Sequence, residues 1–374
     1  MIKKLLLPAF IVCLLLSVHT DAFAAGGGQA GPITVVLNGS QIEAVAYEAD
    51  GIPYLPLRAI CESLGYEIRW AGESGAISAL KGGENITMDL KNNRIAADGH
   101  AYYMGGDYLG APAESHIVIN DYTYLRADLF AEFGLVPHWD QGGDKITLLS
   151  IKKNAITIST VKQNSEDDLI EITIQYPRIE GLEDKAVQDS INARFEKEAL
   201  QARDEGLKNA DELRTLRQSE GVTSPNKYET YFDYSIKYNQ NGLLSVVFSD
   251  YQYTGGAHGS TIQTSHTLDL KTGREYRIKD LMLDQADYVT FISTAVRDQI
   301  SQKIRAGELD ELTVFTAIKD DQDFYLSSGG LVVYFQQYEY FPYAAGIQGF
   351  PVEFSTLKDM LSPDFSFLYG DPRE

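Results

Sequence analysis

The chain has 374 residues, 44% of them hydrophobic, which is enough for two or three domains with real cores. Its formal charge is −21, a surface that repels nucleic-acid phosphates and anionic lipid and argues against DNA or RNA as a partner. The same charge attracts a basic protein, and it repels anionic wall polymers unless a cation bridges them.

Lys3 and Lys4 precede an apolar run over residues 5–18, and Ala22-Phe23-Ala24 offers small residues at the positions a signal peptidase reads. Cleavage after Ala24 is expected. It removes two lysines and one aspartate and leaves a charge of −22. The run is too short to favour a membrane span, so no transmembrane anchor is expected after cleavage and the protein is predicted to be secreted or cell-wall associated. Cys13 lies inside the signal, and no cysteine follows the cleavage point to carry a lipid. Cys61 is the single cysteine left. One thiol makes no internal disulfide, and its place on the apolar side of a short helix reads as buried and inert.

After a Gly-rich lead at 25–31, a strand over 33–37 runs into an Asn38-Gly39 turn. A segment then occurs twice, as YLPLRAICESLGYEIRW (54–70) and YTYLRADLFAEFGLVPHW (122–139). Each copy predicts a short amphipathic helix after Leu-Arg, a glycine stop, a strand and a tryptophan, with further strands at 76–80 and 145–150. Leu57, Ile60, Cys61 and Leu64 share one helical face. Gly65 and Gly134 stand where a helix end calls for a left-handed residue. Arg58 and Arg126 open their helices, where the dipole disfavours a cation, so each is expected to reach a carboxylate or a backbone carbonyl. Trp70 and Trp139 read as core plugs rather than sugar platforms. Together these residues resemble the small domain named after the N-terminal region of copper amine oxidases, over 33–151, with PLR, LG and W as the motif. Tyr124 departs from it, standing where the second proline is usual. The resemblance implies a compact α+β stalk or adaptor module without copper chemistry. His100, His116 and His138 are scattered, so no metal and no cofactor is expected.

The second half opens with a polar junction at 155–165 and a strand at 169–176 that Pro177 should stop. A helix over 183–219 follows, with Val187, Ile191, Phe195 and Ala199 on one stripe and Gly206 as a break point. Phe232, Tyr234, Ile236 and Tyr238 alternate along a strand at 228–238, and residues 239–242 turn it into 243–248. Strands at 261–270 and 275–278, a helix at 285–305, a hairpin over 324–336 and a last helix at 355–361 complete the pattern. The fold class predicted is α+β: two domains, the second an antiparallel sheet with helices packed on one face. Over 165–362 the sequence resembles the extracytoplasmic domains of unknown function shared by lysozyme-sensing anti-sigma factors and peptidoglycan deacetylases of Gram-positive bacteria. YPRIEG with the following IN, TGGAHG, DLKTG, FYL and YEYFPYAAG carry the resemblance. Four residues before the apolar run leave no room to hold a sigma factor, and no acidic, two-histidine catalytic domain follows. The expectation is therefore a recognition part joined to a stalk.

Two loops supply the candidate ligand-binding residues. Tyr251, Tyr253 and His258 come from YQYTGGAHG; Tyr340, Pro342 and Tyr343 come from YEYFPYAAG. Exposed tyrosines offer rigid area with a polar tip, yet Gly-Gly between strands is equally an ordinary connection. Neither HExxH, a phosphate loop nor a nucleophile elbow is present. His258 and His266 with Asp250 or Asp269 leave open a metal-dependent hydrolase or deacetylase-like enzyme acting on cell-wall glycans. The leading expectation is a non-catalytic, secreted cell-envelope protein that binds a lysozyme-like muramidase or peptidoglycan.

Overall fold

The computed structural model describes residues 33–368 apart from 50–51, 73–74, 83, 98–99, 105, 109–110, 140–143 and 221–225. The expected signal segment with Cys13, its cleavage point and the Gly-rich lead lie outside the described residues. Strand β1 (Ile33–Leu37) turns through Asn38 and Gly39, both at the positive φ a tight hairpin needs, into β2 (Ser40–Ala49). β3 (Ile52–Pro56) leads into helix α1 (Leu57–Ser63), then β4 (Glu67–Trp70) and β5 (Ala76–Lys81). With β6 (Glu84–Asp89), β7 (Arg94–Ala97) and β8 (His100–Tyr103), β4 and β5 form a five-stranded antiparallel meander. β9 (Gly106–Tyr108) and β10 (Ala111–Ala113) pair as a small ribbon. β11 (His116–Ile119), β12 (Tyr122–Arg126), β13 (Leu135–Trp139) and β14 (Lys145–Ser150) join the first three strands in a seven-stranded sheet, ordered β11-β12-β3-β2-β1-β14-β13.

The two copies of the repeated segment are alike locally and diverge in their partners. Their first strands, β3 and β12, lie side by side. After that β4 and β5 enter the meander, whereas β13 and β14 close the large sheet. The second copy's helix, Ala127–Phe133, is a 3-10 helix rather than an α-helix, and Gly134 caps it in the left-handed conformation. Leu57, Ile60 and Cys61 are buried, and burial pushes the Cys61 thiol well above its ordinary range. Both arginines behave as expected: Arg58 reaches Glu62 at 3.1 Å, and the buried Arg126 donates to Asp128 at 2.7 Å and to the Met104 carbonyl at 3.3 Å. Trp70 does not. It is 53% exposed, because it is the last residue of β4, an edge strand of the meander. The Trp139 side chain lies outside the described residues.

In the second half, β15 (Thr157–Glu166), β16 (Ile170–Glu180), β17 (Tyr228–Gln240), β18 (Leu243–Tyr253) and β19 (Ser260–Asp269) form one sheet in chain order. Helix α2 (Lys185–Glu220) crosses from β16 to β17, which therefore pair in parallel. Pro177 does not stop β16. It sits beyond the last residue paired with β17, Ile174, where one side of the strand is free and a missing N–H breaks no ladder. Gly206 does not break α2 either. A Cβ there would run into the Thr230 hydroxyl, so the glycine lets the helix lie close on the sheet. The junction at 155–165 is mostly β15, paired along its whole length with β16. Tyr238 leaves the stripe read from sequence, because a bulge between Ile236 and Tyr238 turns it into a different core from Phe232 and Tyr234.

Beyond β19 come α3 (Ile278–Leu281), α4 (Tyr288–Ala306), β20 (Phe324–Leu326), β21 (Gly330–Phe335), β22 (Gln348–Glu353) and α5 (Phe354–Leu357). The strand expected at 275–278 reduces to a single bridge from Glu275 to Leu268, and the last helix is one short turn. β20, β21 and β22 make a second, three-stranded sheet. It covers the face of the larger sheet opposite α2: the Ser245 hydroxyl accepts from Leu326 N at 3.1 Å, and the Tyr334 hydroxyl donates to Ser265 at 3.1 Å. The architecture is α+β, with three large cores and a small fourth cluster of Ile52, Tyr54 and Tyr124 among the described residues.

Candidate functional site

The site forms where the turn after β18 meets the loop between β21 and β22. Gln252 bonds the Ala202 carbonyl of α2 at 3.3 Å, so Tyr251 and Tyr253, one residue to either side, face away from the helix. Gly255 and Gly256 both sit at φ +94°, where a side chain would be strained, and they reverse the chain. The Tyr253 hydroxyl ties the turn by donating to the Gly256 carbonyl at 3.1 Å, while Asn226 donates to that hydroxyl at 3.3 Å. Gly259 is needed for closeness: a Cβ there would stand 2.5 Å from the Tyr251 ring. The three glycines of TGGAHG thus have two different jobs, and together they aim His258.

His258 is exposed, and its ring stacks on Tyr343 at 3.8 Å between centroids with planes 21° apart. Its Nδ1 donates to the Gly259 carbonyl at 2.8 Å, which fixes the ring's direction. Pro342 begins the short 3-10 turn Tyr343–Ala345 that presents the tyrosine. Tyr338 continues the row, 5.8 Å from Tyr343, and it was not anticipated from the sequence. It is 57% exposed and its backbone is left-handed, at φ +65°. Such a conformation is costly for an aromatic residue and persists only where the surroundings impose it.

The six residues singled out from the sequence therefore divide. His258 and Tyr343 meet directly, with Tyr251 close by; burial, then Glu229 and Tyr343, push the Tyr251 phenol up from its ordinary range. Tyr253 braces the turn and Pro342 starts the opposing one. Tyr340 instead packs edge-on against the core rings Phe335 (4.8 Å) and Phe315 (5.4 Å), and its buried neighbour Phe341 packs at a tilt against Phe350. The two loops are held together at the sheet edge. Gln337 accepts from Thr261 N at 2.9 Å, while Gln336 accepts from Gln263 N at 3.0 Å and returns a bond to the Gln263 carbonyl at 2.7 Å.

His266 belongs elsewhere. It projects to the α2 side, where Nε2 donates to Glu198 and Nδ1 to Glu275, each at 2.6 Å. Burial alone would lower its pKa, but the two carboxylates outweigh burial and hold it at about 9. Arg194 closes the far side of Glu275, and Thr264 bonds Glu198. Asp269 caps the turn at Lys271 and Thr272 and accepts from Tyr276, and Asp250 accepts from Gln252 at 2.8 Å. The histidine pair considered as a cation site is thus not assembled, since each ring has a separate set of partners. Among the described residues no three His, Cys, Asp or Glu side chains converge into a metal cage.

Three family models match the chain: the copper amine oxidase N-terminal domain over residues 36–148, deacetylase PdaC over 163–261, and a protein of unknown function (DUF3298) over 279–355. His258 falls in the second match and Tyr343 in the third, so the stack joins the two. The anti-sigma-V factor RsiV of Bacillus subtilis (strain 168) is 26% identical over 233 residues, covering 60% of this chain and 76% of the relative. The peptidoglycan-N-acetylmuramic acid deacetylase PdaC of the same organism is 28% identical over 181 residues. That match covers 47% of this chain but only 37% of the deacetylase. Among solved structures, a DUF3298 member from Bacteroides fragilis aligns with TM-score 0.48 and 18% identity, over 59% of this chain and 99% of that one. Another, from Pseudomonas aeruginosa, aligns with TM-score 0.41 and 11% identity, over 57% and 97%. By these matches the chain resembles the copper amine oxidase N-terminal domain over its first half, and the deacetylase PdaC and DUF3298 families over its second.

Proposed function

We propose that this is an exported cell-envelope protein whose second half, residues 165–362, is a non-catalytic recognition module for a muramidase or for peptidoglycan, carried on the 33–151 stalk. The observation that carries the reading is the row of His258, Tyr343 and Tyr338, with Tyr343 half-buried between two exposed rings. His258 stacks on Tyr343 and Tyr338 lies tilted beside it, the row being set by glycines, a proline and a left-handed backbone, which is how a rigid contact surface is made in advance of binding. The similarity to an anti-sigma factor and a peptidoglycan deacetylase points to the same class of partner. A net charge of −21 suits a basic muramidase.

The test is binding of the intact protein to a basic lysozyme and to purified peptidoglycan fragments at low and high ionic strength. Lysozyme binding should weaken with salt. Tyr343→Ala should weaken binding to the true partner about tenfold or more, as loss of a central aromatic contact does. Binding to neither would retire the reading. The similarity to a deacetylase favours a second one, catalysis on wall glycans through His258. Acetate release from peptidoglycan that disappears in His258→Ala would establish it in place of the first.

A further inference from the structure

The first half of the chain holds a second surface unrelated to the His258 row. Four large hydrophobic side chains are exposed among the described residues before 151: Val45, Trp70 (53%), Val118 (60%) and Tyr122 (62%). Scattered apolar side chains are ordinary on a surface, but a cluster marks contact. All four line one groove of about 750 Å³, bounded by strands of the two N-terminal sheets and the start of α1. That is the size of a small-ligand site. Trp70 ends the edge strand β4 on one side. Tyr122 follows the Asn120-Asp121 turn on the other, both turn residues being left-handed. Arg58 fastens the floor, reaching Glu62 at 3.1 Å and the Ile68 carbonyl at 3.5 Å.

The polar lining narrows the choice of ligand. Glu43, Glu62 and Asp121 face the groove against a single cation, Arg58, which Glu62 already engages. Three carboxylates repel an anionic ligand, and ionised carboxylates only accept hydrogen bonds. The complement is a molecule with apolar C–H faces for two exposed rings and many neutral donors around its rim. We propose that this groove binds an uncharged, N-acetylated saccharide chain, with Trp70 and Tyr122 as stacking platforms and Glu43 and Asp121 accepting from its hydroxyl and acetamido groups.

The probe is the β-1,4-linked tetramer of N-acetylglucosamine, titrated into the full chain. The protein has two tryptophans, so a Trp139→Phe background leaves Trp70 as sole reporter, and saturable binding should shift its emission to the blue. By calorimetry, Trp70→Ala and Tyr122→Ala should each weaken the tetramer at least about tenfold. Trp70→Phe should retain most of the affinity and Tyr343→Ala all of it, which separates this groove from the site proposed above. Both platform residues are exposed, so unchanged melting curves will show that the variants are folded. The proposal is overturned by no saturable binding at low-millimolar tetramer, or by binding that ignores Trp70 and Tyr122. It is equally overturned if a lysine-rich peptide, and not the tetramer, binds in a Trp70-dependent way.

Discussion

Replacing His266 with glutamine removes the charge that joins α2 to β19 through Glu198 and Glu275. The folded pKa of His266 is held at about 9 against an ordinary 6.5. At about 1.4 kcal/mol per unit, that difference corresponds to about 3 kcal/mol. Because the folded value is raised, this contribution is fully present below about pH 6.5 and is lost as pH rises through about 9. The assay is urea unfolding followed by far-UV circular dichroism, which reports α2, at about pH 6 and about pH 10. Wild type should lose about 3 kcal/mol more over that interval than His266→Gln, whose profile lacks this titration. Glu275 cannot imitate the effect, since burial would raise its pKa but His266 and Arg194 outweigh burial and hold it below its usual range, so it stays ionised throughout. A glutamine variant with the wild-type pH slope would show that the imidazolium is not clamped.

Other outcomes follow from packing and backbone geometry. Gly206→Ala should destabilise by about 1–3 kcal/mol despite alanine's higher helix propensity, because its methyl meets Thr230; a raised melting temperature would contradict this. Thr230→Ala in the same chain should recover part of the loss, as expected for residues in contact. At position 338 the usual order reverses. With the backbone at φ +65°, Tyr338→Gly should melt higher than Tyr338→Ala, by about 1 kcal/mol. Equal stability would deny the left-handed conformation. Cys61 in the chain lacking residues 1–24 should resist Ellman's reagent until denaturant is added, since the thiol is buried and its pKa is raised. Fast labelling of the native protein would refute that.

Much of the fold was legible because period and punctuation are local. The strands at 33–37 and 145–150, the α2 stripe and the glycine caps at 65 and 134 follow from spacing and stop signals alone. What escaped depends on neighbours that spacing does not encode. Trp70 carries a core signature, but its strand lies at an edge. Pro177 and Gly206 look like breaks and are not, one because the adjoining ladder has ended and the other because a sheet side chain presses on the helix. Tyr238 changes side through a single bulged residue. At the site, His258 and Tyr343 could be named, since glycine and proline mark loops that carry side chains. Their stacking could not, because 85 residues separate them. Tyr338 was invisible for a simpler reason: nothing in a tyrosine announces a positive φ.

β19 is the last strand of its sheet, yet its outermost amides at 261 and 263 are already taken by the glutamines at 337 and 336. Bare strand margins recruit strangers. Here two flexible amide arms imitate a sixth strand without supplying one, so the ladder terminates instead of propagating into a neighbouring copy. The same arms hold the two ring-bearing loops in register, which ties resistance to fibril growth to the shape of the aromatic face.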